Sequence, residues 1–437
     1  MPTYIYLSLL FFLAPYVSPA QTPSESIRLN QIGFYPKANK IAIVVGDQSG
    51  KFQLATTDQK KVVFDGTLGP ALTNSISGKI THTADFSAFT KPGTYVLIIP
   101  GLGHSYPFEI RSDVHREVAK GTLKGFYYQR ASTDLPAQFA GKWARPAGHP
   151  DTKILIHPSA ATSERPAGTV IASPRGWYDA GDYNKYIVNS GITMGTLLSL
   201  YEDFPDYAKT LRTNIPESGN NIPDLLDELV WNLRWMLTMQ DPNDGGVYHK
   251  LTNPSFDGMI MPDKAIKDRY VVQKSITATL DFAAVMAQAS RVFKAYNREL
   301  PGLSDSCVSA ATKAWLWAKA NPAALYRQNE MNTQFDPDVI TGGYEDRTSA
   351  DEWIWAAAEL YVTTKDESYY KAVNLFPDSR TPLPSWAQVR TLGYYTLARF
   401  SKYLTPIGQK DVPLLKKHIV SFADSLIQGA DKQAFQT

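Results

Sequence analysis

Apolar and polar positions change rhythm once along the chain. Between Ile27 and Ile110 the apolar residues come in short runs: Ile41-Ala-Ile-Val-Val-Gly46, Phe52-Gln-Leu-Ala-Thr56, Val62-Val-Phe64 and Thr94-Tyr-Val-Leu-Ile-Ile99. Asp47-Gln-Ser-Gly50 and Lys91-Pro-Gly93 break them with turn chemistry. Short β-rich runs at this spacing predict a β-sandwich. From Val114 onward the period lengthens to that of helices. The runs are Val114 to Tyr128, Ile192 to Phe204, Ile222 to Gln240, Gln273 to Tyr296, Ser306 to Ala320, Ala350 to Thr363, Ser368 to Asn374, Ser385 to Leu404 and Val412 to Gly429. In the third, Leu226, Leu229, Val230, Leu233 and Leu237 recur on one face. In the fourth, Ala283, Ala284, Ala287 and Ala289 allow close helix approach. The pattern shows no strand among these runs, which predicts an all-α second domain. The proline-dotted stretch from Ala131 to Arg175 exceeds an ordinary connection and is expected to wall a site.

Composition narrows the class. A chain of 437 residues, 43% hydrophobic and 20% charged, is long enough for two cored domains. Its 44 basic and 42 acidic residues leave a net charge of +2, with no basic run, so nucleic acid and anionic membrane are excluded as expected partners. Met1 to Ala20 reads as a signal peptide, with an apolar run from Ile5 to Leu13 and small residues Ser18 and Ala20 before Gln21. No other apolar stretch is long enough to span a bilayer. Export to the periplasm or the medium is the expectation. Cys307 is the single cysteine, so there is no disulfide framework, and its Ala-rich surroundings predict a small buried hydrophobe.

One stretch resists explanation as packing: Gly176-Trp-Tyr-Asp-Ala-Gly-Asp-Tyr-Asn-Lys-Tyr186. Asp179 and Asp182 sit three apart in a turn-prone loop that leads into a helix, where both carboxylates can aim at one point. One can take a proton from a water while the other holds that water. Trp177 and Tyr178 offer flat apolar faces suited to sugar rings. The competing reading is an N-cap with a solvated charge, or a calcium ligand pair. His249, after a Gly-Gly turn, is a candidate for sugar hydroxyls or a satisfied structural residue in equal measure. Trp231 and Trp235, four apart on a helix, read as core. Asp336-Pro-Asp338 and Asp241-Pro-Asn-Asp244 are candidate ligands for a structural calcium, with Pro-containing turns as the plainer account. Seven histidines without an H-x-H or H-x-x-x-H pair give no zinc site.

The run from Gly176 to Ile192, GWYDAGDYNKYIVNSGI, closely resembles the signature of the family 9 glycoside hydrolases, the inverting cellulases and their relatives. The resemblance implies that Asp182, the second Asp of DAGD, is the catalytic base and that Asp179 holds the attacking water. Blocks starting at Trp231, Gly245, Phe282 and Asp351 resemble the family's in the family's order. Ile27 to Phe34 and the Lys91 turn resemble the immunoglobulin-like module that often precedes the family's catalytic domain. The implied architecture is a signal peptide over 1–20, an all-β immunoglobulin-like sandwich over 21–112 with a structural role, and an all-α (α/α)6 barrel over 113–437. The family's acid, a Glu in an Asn-Glu pair late in the barrel, has no counterpart here, because Asn329-Glu330 lies too early. The expectation is therefore a barrel incomplete at its C-terminus and impaired as it stands. The implied activity is inverting hydrolysis of β-1,4-glucosidic bonds in cellulose or a related β-glucan, with no organic cofactor required. The alternatives are an exo-acting or branched- or amino-glucan hydrolase of the same family, or a non-catalytic glycan-binding fragment.

Overall fold

A computed structural model describes residues 22–436. The signal-peptide reading, Met1 to Ala20, lies outside the described residues. The chain divides into two compact units, one holding the chain to Arg116 together with the stretch from Leu426, the other Glu117–Ser425.

The first unit is a sandwich of two antiparallel sheets. One sheet runs β1 (Ile27–Arg28), β2 (Ile41–Val45), β6 (Ile80–Asp85), β5 (Leu72–Thr73). The other runs β4 (Val62–Thr67), β3 (Lys51–Thr56), β7 (Gly93–Ile99), β8 (Gly103–His104), with β9 (Phe108–Ile110) also on β7. Alternate residues turn inward, as a pleated strand requires: Ala42 and Val44, Phe52 and Leu54, and Leu97 and Ile99 meet in one core. Phe34 packs edge-on against Phe86 and Phe108 at 5.3 and 5.6 Å, in the arrangement that ring quadrupoles favour. The stretch from Leu426 belongs with this unit, and Thr81 Oγ1 donates to the carbonyl of Ala434.

The second unit is helical. Its longer helices are α1 (Arg116–Tyr128, which begins one residue earlier), α2 (Ile187–Asp203), α3 (Asp224–Thr238), α4 (Ile276–Phe293), α5 (Leu303–Ala320), α6 (Ala350–Thr364), α7 (Arg390–Arg399) and α8 (Val412–Asp431, which runs on beyond Ser425). The middle of the unit is α4, which α2, α5 and α6 pack around. It is buried along almost its whole length, as a central helix is, and its alanines 283, 284, 287 and 289 are fully buried. Ser275 caps it, its Oγ accepting from the Ala278 N–H at 3.2 Å. Cys307 is buried in this core, and burial pushes its thiol up to about 12. Among the described residues no helix is long and apolar enough to cross a membrane.

Strands were not expected here, yet the unit carries a small sheet. Its order is β11 (Val170–Ile171), β10 (Ile154–Ile156), β14 (Tyr270–Val271), β13 (Lys250–Thr252), β12 (Lys185–Tyr186). Each strand is two or three residues long, too short to leave a period-2 signal in the sequence. This sheet joins the long Ala131 to Arg175 stretch to the loop that bears the aspartate pair.

Candidate active site

The loop from Gly176 to Tyr186 is fixed at both ends. Gly176 has φ +82°, and a Cβ there would lie 2.7 Å from Trp235 and 3.0 Å from the Lys185 side chain, so only glycine fits. At the far end Lys185 and Tyr186 form β12, paired with Leu251 and Lys250. The Lys185 ammonium is buried against Asp151 Oδ2 at 2.7 Å and the carbonyls of Ser173 and Arg175, and burial lowers its pKa to about 8.

Trp177 and Tyr178 form the floor and do not stand out as platforms. Trp177 is 5% exposed, and its indole N–H donates to Glu228 Oε1 at 2.8 Å. Glu228 in turn holds the buried Arg130, which also pairs with Glu217. Tyr178 is 4% exposed, with its hydroxyl 2.9 Å from His149 Nδ1. Both residues line a cleft of about 100 Å3 shared with Asp179, Tyr186 and Asn189.

The aspartates are only partly buried, and each is held by two donors. Asp179 Oδ1 accepts from Asn189 Nδ2 at 2.6 Å, and its Oδ2 accepts from the Tyr344 hydroxyl at 2.6 Å. Asp182 Oδ2 accepts from Asn184 Nδ2 at 2.8 Å and from the Tyr186 hydroxyl at 2.9 Å. Among the described residues no hydrogen bond reaches Asp182 Oδ1. The Asn184 amide cannot turn over, because its Oδ1 already accepts from the Asn253 N–H at 2.9 Å and Thr252 Oγ1 at 3.1 Å. Burial, and then Asp179, push the Tyr344 phenol up to about 12, and burial and Asp182 raise Tyr186 likewise. Both phenols therefore remain donors at any working pH. Trp386, 38% exposed, stands edge-on to Tyr344 at 5.4 Å and is an exposed aromatic beside the pair.

His249 is packed in the interior. It is fully buried, stacked on Tyr326 at 4.0 Å, with Nδ1 2.9 Å from Ser275 Oγ and Nε2 2.9 Å from the Gly343 carbonyl. Of its two sequence readings, the buried geometry matches the structural one. The first candidate calcium turns also have other occupations. Lys274 Nζ lies 2.7 Å from both Asp241 and Asp244, so an ammonium supplies the cation there. Asp336 and Asp338 are exposed. An acidic cluster the sequence reading did not single out lies at the start of α6. Asp346, Asp351 and Glu352 place ligand oxygens within 4.8 Å of one another. Among the described residues, Glu352 Oε2, Asp346 Oδ2 and both oxygens of fully buried Asp281 have no hydrogen-bond partner. Burial, and then Asp351, push the Asp281 and Glu352 carboxyls well above the usual range.

A β-sandwich followed by a helical unit, with two carboxylates three residues apart and one of them lining an aromatic-floored cleft, is an arrangement that suits hydrolysis of a glycosidic bond. Comparison with known proteins narrows this to one family. The sequence pattern of glycosyl hydrolase family 9 matches residues 115–436, and that of the cellulase N-terminal Ig-like domain matches residues 22–104. The chain belongs to glycosyl hydrolase family 9. It is 46% identical to the xyloglucan-specific endo-β-1,4-glucanase BoGH9A of Bacteroides ovatus over 96% of this chain and 71% of that protein. It is 32% identical to endoglucanase D of Acetivibrio thermocellus over 94% of this chain and 63% of that protein. The solved Bacteroides ovatus GH9 structure superposes with a TM-score of 0.91 at 45% identity, over 95% of this chain and 76% of that one. The sandwich, the helical unit and the glycoside hydrolase class expected from the sequence all stand.

Proposed function

We propose that this chain takes part in an inverting endo-hydrolysis of β-1,4-glucan, with Asp182 as the base. The observation that carries the reading is the asymmetry of Asp182. Its Oδ2 is occupied by two donors, while among the described residues no hydrogen bond reaches Oδ1 of this half-buried side chain. A water there is within reach of a free carboxylate lone pair, and Asp179 beside it orients the water's second proton. Deprotonated by Asp182, the water attacks the anomeric carbon. The acid, on the opposite face, lies roughly 6.5–9.5 Å from the base in inverting enzymes, and no Glu of this chain is assigned that role. The likeness to BoGH9A makes a glucan backbone with xylosyl branches the first substrate to try, with unbranched cellulose second. We place the protein outside the cytoplasm, and sequencing of exported material should find Gln21 at or near its N-terminus.

An aryl β-cellobioside with a strongly activated leaving group isolates the base, because its departure needs little proton donation. On it, Asp182→Ala should remove nearly all turnover while cello-oligosaccharide binding stays measurable, because the base acts in the transition state. Near-parental turnover would refute the assignment. Binding without turnover in the parent chain would favour the glycan-binding alternative.

A second reading concerns the acidic cluster. Converging oxygens of Asp346, Asp351 and Glu352, two of them without a hydrogen-bond partner among the described residues, fit a hard divalent cation of the calcium type. Its role would be to hold the loop that bears Tyr344 to the start of α6.

A further inference from the structure

The two phenols that hold the aspartates come from distant parts of the chain, Tyr186 from β12 and Tyr344 from a Gly-Gly loop. Lys250 lies against the first and is bonded to the segment that leads to the second. The pairing of β12 with β13 sets Lys250 directly opposite Tyr186. Its ammonium is fully buried, 5.7 Å from the Tyr186 ring centroid. Its three hydrogen bonds go to the Gly342 carbonyl at 2.7 Å, Gln328 Oε1 at 2.7 Å and Thr341 Oγ1 at 3.1 Å. Two of these acceptors belong to the segment that ends in Tyr344. The third, Gln328, itself donates to the Thr341 carbonyl at 2.9 Å. Gly342 then passes the constraint on, because its N–H donates to the Tyr186 hydroxyl at 3.2 Å, and that hydroxyl donates to Asp182. A Cβ on Gly342 would come within 2.8 Å of the Tyr344 ring and 3.1 Å of the Tyr186 hydroxyl, so the backbone has to pass this close.

Among the described residues no carboxylate lies within ion-pair distance of this ammonium. A buried cation satisfied only by neutral oxygens is expensive compared with a methionine of the same length. Burial lowers its pKa to about 7, against the pull of Asp182 and Glu345. Packing alone gives no reason to keep such a group, whereas a three-pronged donor that fixes one loop does.

We infer that Lys250 is a positioning residue of the hydrolytic reaction: its ammonium clamps the Thr341–Gly342 segment and so sets the hydroxyls of Tyr186 and Tyr344 on Asp182 and Asp179. The inference rests on the reading of Asp182 as the base. It assigns Lys250 no contact with sugar, so its loss should be felt in turnover and not in binding.

The test replaces Lys250 by methionine in the full-length protein, with Asp182→Ala and Tyr344→Phe alongside. On the activated aryl β-cellobioside, Lys250→Met should lower kcat about 10-fold or more, the scale of one charge-assisted hydrogen bond, with KM held within about threefold. Combined with Tyr344→Phe, the loss should be smaller than the product of the two single losses, since both act on the same contact. A parental kcat, a KM that rises as far as kcat falls, or multiplicative losses would each overturn the clamp. If Lys250→Met does not fold, Thr341→Val removes one acceptor and leaves the charge in place. It should lower kcat a few-fold at constant KM, and an unchanged kcat would again overturn the proposal. The two levels fail separately. Turnover surviving in Asp182→Ala overturns the base, whereas an inactive Asp182→Ala beside a parental Lys250→Met overturns only the clamp.

Discussion

Replacing Tyr344 by phenylalanine removes one oxygen from the site and little else. The ring keeps its edge contacts with Tyr186 at 4.7 Å and Trp386 at 5.4 Å, so packing is conserved. What is lost is the 2.6 Å hydrogen bond to Asp179 Oδ2, leaving that carboxylate on Asn189 alone. A hydrogen bond to an ionised group contributes about 1.5–3 kcal/mol. If Asp179 orients the attacking water, that energy is felt in the transition state. At about 1.4 kcal/mol per tenfold, kcat should then fall roughly 10- to 150-fold. KM should move little, because the sugar-facing surface is unchanged. The phenol, held near 12, stays protonated at working pH, so its own titration does not change the loss. Initial rates on soluble xyloglucan and on the activated aryl β-cellobioside measure it, with the melting temperature as a control for folding. A kcat within twofold of the parent would refute the role of Tyr344. A rise in KM at constant kcat would show that the hydroxyl serves the sugar instead.

Two further outcomes test the surroundings of the site. Burial holds His249 and His149 neutral, with pKa values of about 3, against about 6.5 in an unfolded chain. Between those values the unfolded chain takes up protons that the folded chain refuses. Each histidine therefore removes about 1.4 kcal/mol of stability per pH unit as the pH falls through that window. The melting temperature should drop more steeply between pH 6 and 4 in the parent than in His249→Gln, and equal slopes would contradict the account. If the acidic cluster takes a cation, millimolar calcium should raise the melting temperature of the parent, by about 2.7 kcal/mol of stability at a hundred times Kd. The Asp351→Asn and Glu352→Gln variants should lose that shift, and no shift in the parent would remove the cation reading.

What the sequence made legible follows from how local each feature is. The aspartate pair, Gly176 and the turn chemistry around them share one short stretch, so the loop and its direction could be read directly. The long helices were readable where a 3.6-residue period repeats over about four turns, as in α3. The small sheet was not, since a two-residue strand such as Lys185–Tyr186 has no period. The partners of the aspartates fell on both sides of this divide. Asn184 and Tyr186 lie within the quoted stretch, but their donor roles depend on the pairing of β12 with β13. Tyr344 and Lys250 come from far along the chain and carry no mark except a neighbouring glycine pair. Trp177 and Tyr178 were read as sugar platforms because aromatic residues flank the carboxylates. Their burial is set by Glu228 and His149, which the local sequence does not announce. The acidic cluster was missed for a related reason: Asp346, Asp351 and Glu352 straddle the start of α6, and the Asp281 whose charge they feel comes from α4.

The central claim is that a water activated by Asp182 attacks from the face opposite the leaving group. Proton NMR of the first product released from an activated aryl β-cellobioside tests it most directly, before mutarotation scrambles the anomers. The account predicts that the α-hemiacetal appears first and then relaxes toward the equilibrium mixture, and that Asp182→Ala produces neither anomer at a comparable rate. A β-hemiacetal as first product would mean retention through a covalent intermediate, and would contradict the assignment of Asp182 as a base acting on water.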